Sequence, residues 1–225
     1  MKIRDLTING DLGDPGTVLA VDGPGAIELD DVTILGGIYA LNSNAPVTAN
    51  NVTIDGAVYA GASLTINGGV IKNADTGVTT TSSISLTNVM MYNFTTIAVD
   101  LSHGTGTLSF VTIADSGTGG GSGATAVTCN TGANSIEYSI VWTPGESDRP
   151  EIFGCNVVQS IVGPIAIAGA TNVDPQFVNP AGSDYHIGSG SPAIDQINSG
   201  PAYDFEGDTR PQLVRWDIGA DEYKP

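Results

Sequence analysis

Positive charge is scarce in this chain: seven Lys and Arg stand against 24 Asp and Glu in 225 residues, a formal net charge of -17. Such a surface repels phosphate backbones, and no Lys/Arg cluster is present to release counterions, which excludes a nucleic-acid partner. Long apolar runs are also lacking. No segment approaches the roughly 20 residues a helix needs to cross a bilayer, so a membrane span of that kind is excluded. Met1 to Gly10 lack the basic and apolar regions of a secretory signal. Runs of Leu, Glu, Lys and Arg that favour helices are missing as well. The two histidines, His103 and His186, lie on unrelated segments without metal-ligand spacing or a nearby nucleophile, and read as loop or cap residues.

What is present is small and strand-forming. Thirty Gly and 12 Pro accompany abundant Thr, Ser and Asn, interleaved with Val and Ile at alternate positions, the period of a strand. A repeat is visible between about residues 27 and 163. Ile27 to Ile34 aligns with Val47 to Ile54 and with Ile84 to Met91, each reading apolar, polar, apolar, polar, Asx, apolar. Taking Val32, Val52, Val70, Val89, Val111, Ile140 and Ile161 as equivalent gives steps of 20, 18, 19, 22, 29 and 21 residues. An earlier copy, Leu6 to Gly10, matches Val52 to Gly56, for about eight coils in all. A second row, Ile38, Val58, Val78 and Ile97, nearly tracks the first.

One recurring register without hairpin turns implies an all-β, single-stranded parallel solenoid rather than an antiparallel sandwich. Equivalent strands stacked about 4.8 Å apart would place like over like in internal aliphatic ladders. Asp31, Asn51 and Asn88 precede the inward Val in three coils, with Gly69, Ser139 and Ser160 in others. That pattern predicts a left-handed bend with a partial asparagine ladder, interrupted at Phe110. Gly117 to Gly123 reads as an outward loop.

Beyond residue 165 the period stops, dividing the chain into coils over 1–165 and a cap over 166–225. The cap carries an ordered series: Asp174-Pro175-Gln176-Phe177-Val178-Asn179-Pro180, Asp184-Tyr185-His186-Ile187, Ser191-Pro192-Ala193-Ile194-Asp195, Asp204-Phe205-Glu206-Gly207-Asp208-Thr209-Arg210-Pro211 and Asp217-Ile218-Gly219-Ala220-Asp221-Glu222-Tyr223. This series resembles the carboxy-terminal region of bacterial right-handed parallel β-helix repeat proteins of the choice-of-anchor Q type, with a pectate-lyase-like fold. The resemblance implies a bacterial protein, secreted or on the cell surface, whose tail closes the final coil; the short length and missing signal suggest a trimmed fragment. The right hand also follows from the general preference of parallel crossovers. Phe177, Ile187, Ile194, Phe205 and Trp216 supply apolar cover for the last coil, and Arg210 is expected to ion-pair among Asp204, Asp208 and Asp217. Asp204, Glu206 and Asp208 offer oxygens to calcium as the alternative, although Gly207 falls too early for an EF-hand loop.

Chemistry is sparser. Asp55, Asn73, Asn93 and Asp115 fall just past the inward strand in four successive coils, beside Lys72. The row reads as strand-ending turn residues, or as a carbohydrate or calcium surface. Asp55 and Asp115, three coils apart, would stand roughly 14 Å from each other, too far for the roughly 6.5 to 9.5 Å of an inverting glycosidase pair. Tyr39 and Tyr59, each following an apolar residue of the second row, are expected to point outward in adjacent coils as a flat strip on which sugar rings dock, or simply as packed cross-strand rings. An ice-binding threonine array fails because Ile71 and Met90 interrupt Thr33, Thr53 and Thr112. Cys129 and Cys155 are spaced near one coil's length, which suits either a bridge between coils or two buried thiols; a bridge would favour a secreted location.

The sequence thus points to a non-catalytic extracellular module, with no cofactor, whose partner is a polysaccharide or cell-surface glycan bound at Tyr39, Tyr59, Asp55, Asn73, Asn93 and Asp115, or which displays loops. A calcium-assisted polysaccharide lyase using Lys72, and a purely structural spacer, are the alternatives. Nothing in the sequence signals an oligomeric state.

Overall fold

The computed structural model describes residues 1–10, 16–116, 125–130, 133–143 and 151–225, with the backbone alone for Asp115 and Ser116. The stretch read as an outward loop, Gly117 to Gly123, lies outside the described residues. The strands are β1 (Lys2–Asn9), β2 (Thr17–Val21), β3 (Ile27–Ser43), β4 (Val47–Ala60), β5 (Leu64–Thr80), β6 (Ser83–Leu101), β7 (Thr105–Ser109), β8 (Thr112–Ser116) and β9 (Val127–Cys129). They continue as β10 (Ser135–Glu137), β11 (Ile140–Trp142), β12 (Ile152–Phe153), β13 (Asn156–Val158), β14 (Ser160–Gly163), β15 (Ala170–Thr171), β16 (Phe177–Asn179) and β17 (Asp184–Ile187).

All pairings of β1 to β15 are parallel and resolve into three stacks. β3 to β6 each run through all three, turning where the backbone enters the left-handed region. One bend falls at Asp31, Asn51, Gly68, Asn88, Phe110, Tyr138 and Gln159, all with positive φ. A second falls at Gly36, Gly56, Asn73 and Asn93. Asn and Asp tolerate this conformation better than other side chains, which is why they recur there. The result is a parallel β-solenoid of about six turns. The spacing suggests about eight because it counts the terminal coils, β1 with β2 and β13 with β14, each of which is partial.

The vertical rows differ from the expected ones by one informative slip. Val52 lies opposite Gly69, while Val70 lies opposite Thr53. Gly69 in turn faces Val89, and Met90 faces Thr112. The inward row is therefore Val32, Val52, Gly69, Val89, Val111, Ser139 and Ser160, accompanied by Ile34, Ile54, Ile71, Met91, Ile113, Val141 and Val162. Val70, Ile140 and Ile161 belong to the outward row with Thr33, Thr53, Met90 and Thr112. No side chain fits at position 69: a Cβ there would stand 2.0 Å from the Val52 carbonyl oxygen. The coil is also shorter, since the hydrogen-bonded residues just before the bend, Asp30, Asn50 and Asn67, are separated by 20 and then 17 residues.

The second row is Leu41, Val58, Val78, Val99, Val127 and Ile152. Ile97 pairs with Thr76 instead, and Ile38 faces solvent. The asparagine ladder is partial, as expected, but its first gap is Gly68. Asn51 donates to Asp31 (2.6 Å), whereas Asn88 turns to the tail and donates to the Tyr203 carbonyl. Phe110 keeps the left-handed bend at φ 54° without the amide. Cys129 and Cys155 are joined by a disulfide that ties successive turns together. Closing a loop of 26 residues in this way stabilises a chain by roughly 3.5 kcal/mol in the chain-entropy account.

The tail does not simply cover the end of the last coil. It lies along the outer flank of the middle stack, over β5, β6, β8, β11 and β14. Phe205, Tyr185 and Ala220 pack on Met90 and Ala114, with Val70 and Tyr92 at the margin. Ile187, Ala193, Ile197 and Ile218 pack on Phe110, Ile140 and Ile161. Here the sheet is buried on both faces, so its outward row is apolar too. At the contact, Gly219 (φ 100°) donates to the Tyr138 carbonyl and Ala220 to Thr112 Oγ1; a Cβ on Gly219 would stand 2.7 Å from that oxygen.

Candidate functional site

The second bend organises the polar residues. Asp55, Lys72, Tyr92 and Ala114 occupy one register position in successive turns, and Asn73 and Asn93 follow one residue later in the left-handed region, at φ 59° and 61°. Asn73 Nδ2 donates to both carboxylate oxygens of Asp55 at 3.0 Å. Asn93 Nδ2 donates to Asn73 Oδ1, also at 3.0 Å. The structure thus joins three of the four row residues in one exposed chain of hydrogen bonds. Asp115 follows Ala114 and is placed by the backbone register beside Asn93, and its side chain lies outside the described residues. Lys72 Nζ sits 3.9 Å from Asp55 Oδ2 and 6.0 Å from the centre of the Tyr92 ring, so its charge is already engaged on the tail side of the bend.

Around this bend the extra residues of β3 open a groove. Gly36 and Gly37 both take positive φ, and the pairing of β3 with β4 shifts on either side of Tyr39. The shift puts Tyr39 opposite Ala57 and Tyr59 opposite Asn42, so the two tyrosines are not in the same register. Their rings still meet, edge to face, with centroids 6.4 Å apart and planes at 68°, which gives a braced single ring rather than a flat strip. Tyr39 and Ile38 remain 40% and 55% exposed. They form one wall of a groove of about 400 Å³ whose other lining includes Asn73, Asp75, Thr76 and Thr79.

No family model, curated protein or solved structure matches this chain. The site therefore rests on its own geometry.

Within that geometry, Asp75 is a residue that the strand pattern alone misses. Its Oδ1 accepts hydrogen bonds from the Thr95 and Thr96 hydroxyls, and these bonds hold its carboxyl below the ordinary carboxylate range. Its signal was present in the period, because Thr95 follows it by 20 residues. Of the sequence candidates, Tyr39 and Asn73 line the groove; Tyr59 braces Tyr39, and Asp55 and Asn93 anchor Asn73 from either side.

The acidic residues of the tail do structural work. Arg210 is buried and its Nε donates to Glu222 Oε2 at 2.8 Å, with both side chains essentially inaccessible to solvent. Its other nitrogens donate to Asn88 Oδ1 and to the carbonyls of Gly219, Asp217 and Asp221. The ion pair expected with Asp204, Asp208 or Asp217 is thus made with Glu222 instead. Asp217 spends its carboxylate on the backbone N–H groups of Asp195 and Tyr223. Asp204 Oδ1 accepts from the backbone of Glu206 and Asp208; Glu206 turns to His186 and Asp208 to Lys224. Among the described residues no three His, Cys, Asp or Glu side chains are grouped to hold a metal ion.

His186 bridges Asp184 Oδ1 (2.6 Å) and Glu206 Oε2 (3.1 Å). Burial pushes the imidazole down, but the hydrogen bonds to Asp184 and Glu206 and the charge of Asp221 outweigh it and raise it to about 9. Burial raises Asp217 and Asp221 each to about 6, against the pull of their backbone donors.

Proposed function

We propose that this protein is a non-catalytic β-solenoid module that binds a carbohydrate chain in the groove beside Tyr39, as a secreted or cell-surface protein. The observation that carries this reading is the exposed Tyr39 ring, held edge-on by Tyr59, facing amide, hydroxyl and carboxylate groups across an open groove. An aromatic face gives a pyranose ring apolar contact, and fixed polar groups opposite it satisfy the hydroxyls. The disulfide supports an oxidising compartment, and the tail motifs support kinship with the bacterial choice-of-anchor Q type of right-handed β-helix proteins.

The test is a glycan-array screen of the intact chain followed by calorimetry on any ligand found. Tyr39→Ala should weaken binding by about tenfold or more, in line with loss of one stacked ring, and leave the unfolding midpoint nearly unchanged. Retention equal to that of the parent chain would remove the aromatic wall from the account.

A further inference from the structure

The charges around the groove carry the reading further, to the class of sugar. Asp75 keeps Oδ1 occupied by two threonine hydroxyls, and among the described residues Oδ2 has no hydrogen-bond donor. Because those hydroxyls hold the carboxyl below its usual range, it is anionic throughout the neutral and mildly acidic region. Among the described residues that line the groove, none is basic. The ammonium of Lys72, the residue before Asn73, is turned to Asp55 and Tyr92. Asp55 itself lies behind Asn73 in the ladder, and the chain as a whole carries -17. A uronate polymer would bring carboxylates toward this surface with no cation to receive them, whereas a protonated amine would find an ionised, partly unsatisfied acceptor beside an aromatic ring.

We infer that the groove selects an amino-sugar chain with free, protonated amines, the amine meeting Asp75 Oδ2 while a ring of the chain lies on Tyr39. This inference rests on the carbohydrate-binding reading and adds the ligand's charge to it. A charge-assisted hydrogen bond at a partly exposed site favours the amine by a modest factor rather than by orders of magnitude.

Calorimetry with oligomers of equal length would test it: glucosamine oligomers, their N-acetylated counterparts, neutral glucose oligomers and oligogalacturonates. The intact chain should bind the free-amine oligomer about five- to tenfold more tightly than the N-acetylated one, with oligogalacturonate weakest. The preference should shrink as salt is raised. Asp75→Asn keeps an oxygen to accept from Thr95 and Thr96, so the fold is retained, and it should bring the amine and acetylated ligands to parity. Glu137→Gln, which removes one carboxylate from a different face of the solenoid, should leave the preference intact and so separates a local contact from general attraction to an acidic protein. Equal affinity for amine and acetyl ligands in the parent chain, preference for uronate, or an unchanged ratio in Asp75→Asn would overturn the inference alone. Failure to bind any of the four ligands would overturn the carbohydrate reading along with it.

Discussion

Arg210→Met is expected to destabilise the protein by about 4 kcal/mol and to release the tail from the flank of the solenoid. The guanidinium reaches across the contact: it ties Asn88 of the first bend to Glu222 and three carbonyls of the tail. It also lies 5.0 Å from the centre of the Phe110 ring. Methionine fills much of the volume but leaves the Glu222 carboxylate buried without its counter-charge, and breaking a buried pair in this way typically costs about 3 to 5 kcal/mol. Two backbone donors, Gln212 and Asp217, would still bond Glu222, so adding Glu222→Gln should recover part of the loss. Urea unfolding measures the stability. Binding of a hydrophobic dye below the main transition reads out the exposure of Met90, Ile140 and Ile161. A loss under 1 kcal/mol with no dye binding would mean that the tail is held by other contacts.

A second large effect is expected from pH, with three of the raised groups, Asp217, Asp221 and His186, acting in one direction. Asp217 and Asp221 titrate near 6 in the folded chain against 3.8, so the stability they confer when protonated is present below about 3.8 and lost as pH rises through 6. Each such displacement corresponds to about 3 kcal/mol, and the two share neighbours, so their sum falls short of twice that. His186, raised from 6.5 to about 9, contributes stability below about 6.5 that is lost as pH rises through 9; its half-exposed ring makes that step smaller. Asp30, Asp75 and Asp184 work the other way, because their carboxyls are lowered by hydrogen bonds and lose their contribution below about pH 4. Urea midpoints should therefore peak near pH 4 to 5 and fall in two steps toward pH 10. The upper step should vanish in His186→Gln. A profile flat from pH 5 to 9 would contradict the assignment of these groups.

These expectations depend on where the tail sits, and that is where the sequence was least legible. The parallel stacking of Val32, Val52, Val89 and Val111, the Asx bends and the inter-coil spacing of the cysteines all follow from one period. Alternation then fails to distinguish the two faces of a strand once both are buried. Ile140 and Ile161 look like core residues because they are core residues, but of the second core, under the tail, and Val70 lies at its margin. Their inward neighbours Gly69, Ser139 and Ser160 look like bend residues. A slip of one residue exchanges the two faces, so in those coils the outward row carries the pattern of an inward one. The groove was half legible for a related reason. Asn73 and Tyr39 were visible in the repeat, but the shift in pairing beside Tyr39 depends on the two left-handed glycines, Gly36 and Gly37, and changes the register locally. Asp75 lies outside the apolar repeat, and its partner Thr95 one turn later, 20 residues on, is the sequence mark of its place in the stack.

The register between β4 and β5 decides which row faces the tail and where the groove lies. Paired cysteine substitutions test it directly, since neighbouring stacked positions meet the Cα separation a disulfide requires. Thr53 and Val70 are opposite each other and Val52 is opposite Gly69. Thr53→Cys with Val70→Cys should form an intramolecular disulfide on mild oxidation, detected by mass spectrometry, and Val52→Cys with Val70→Cys should not. The reverse result would contradict the register, and with it the placement of the tail and of the groove.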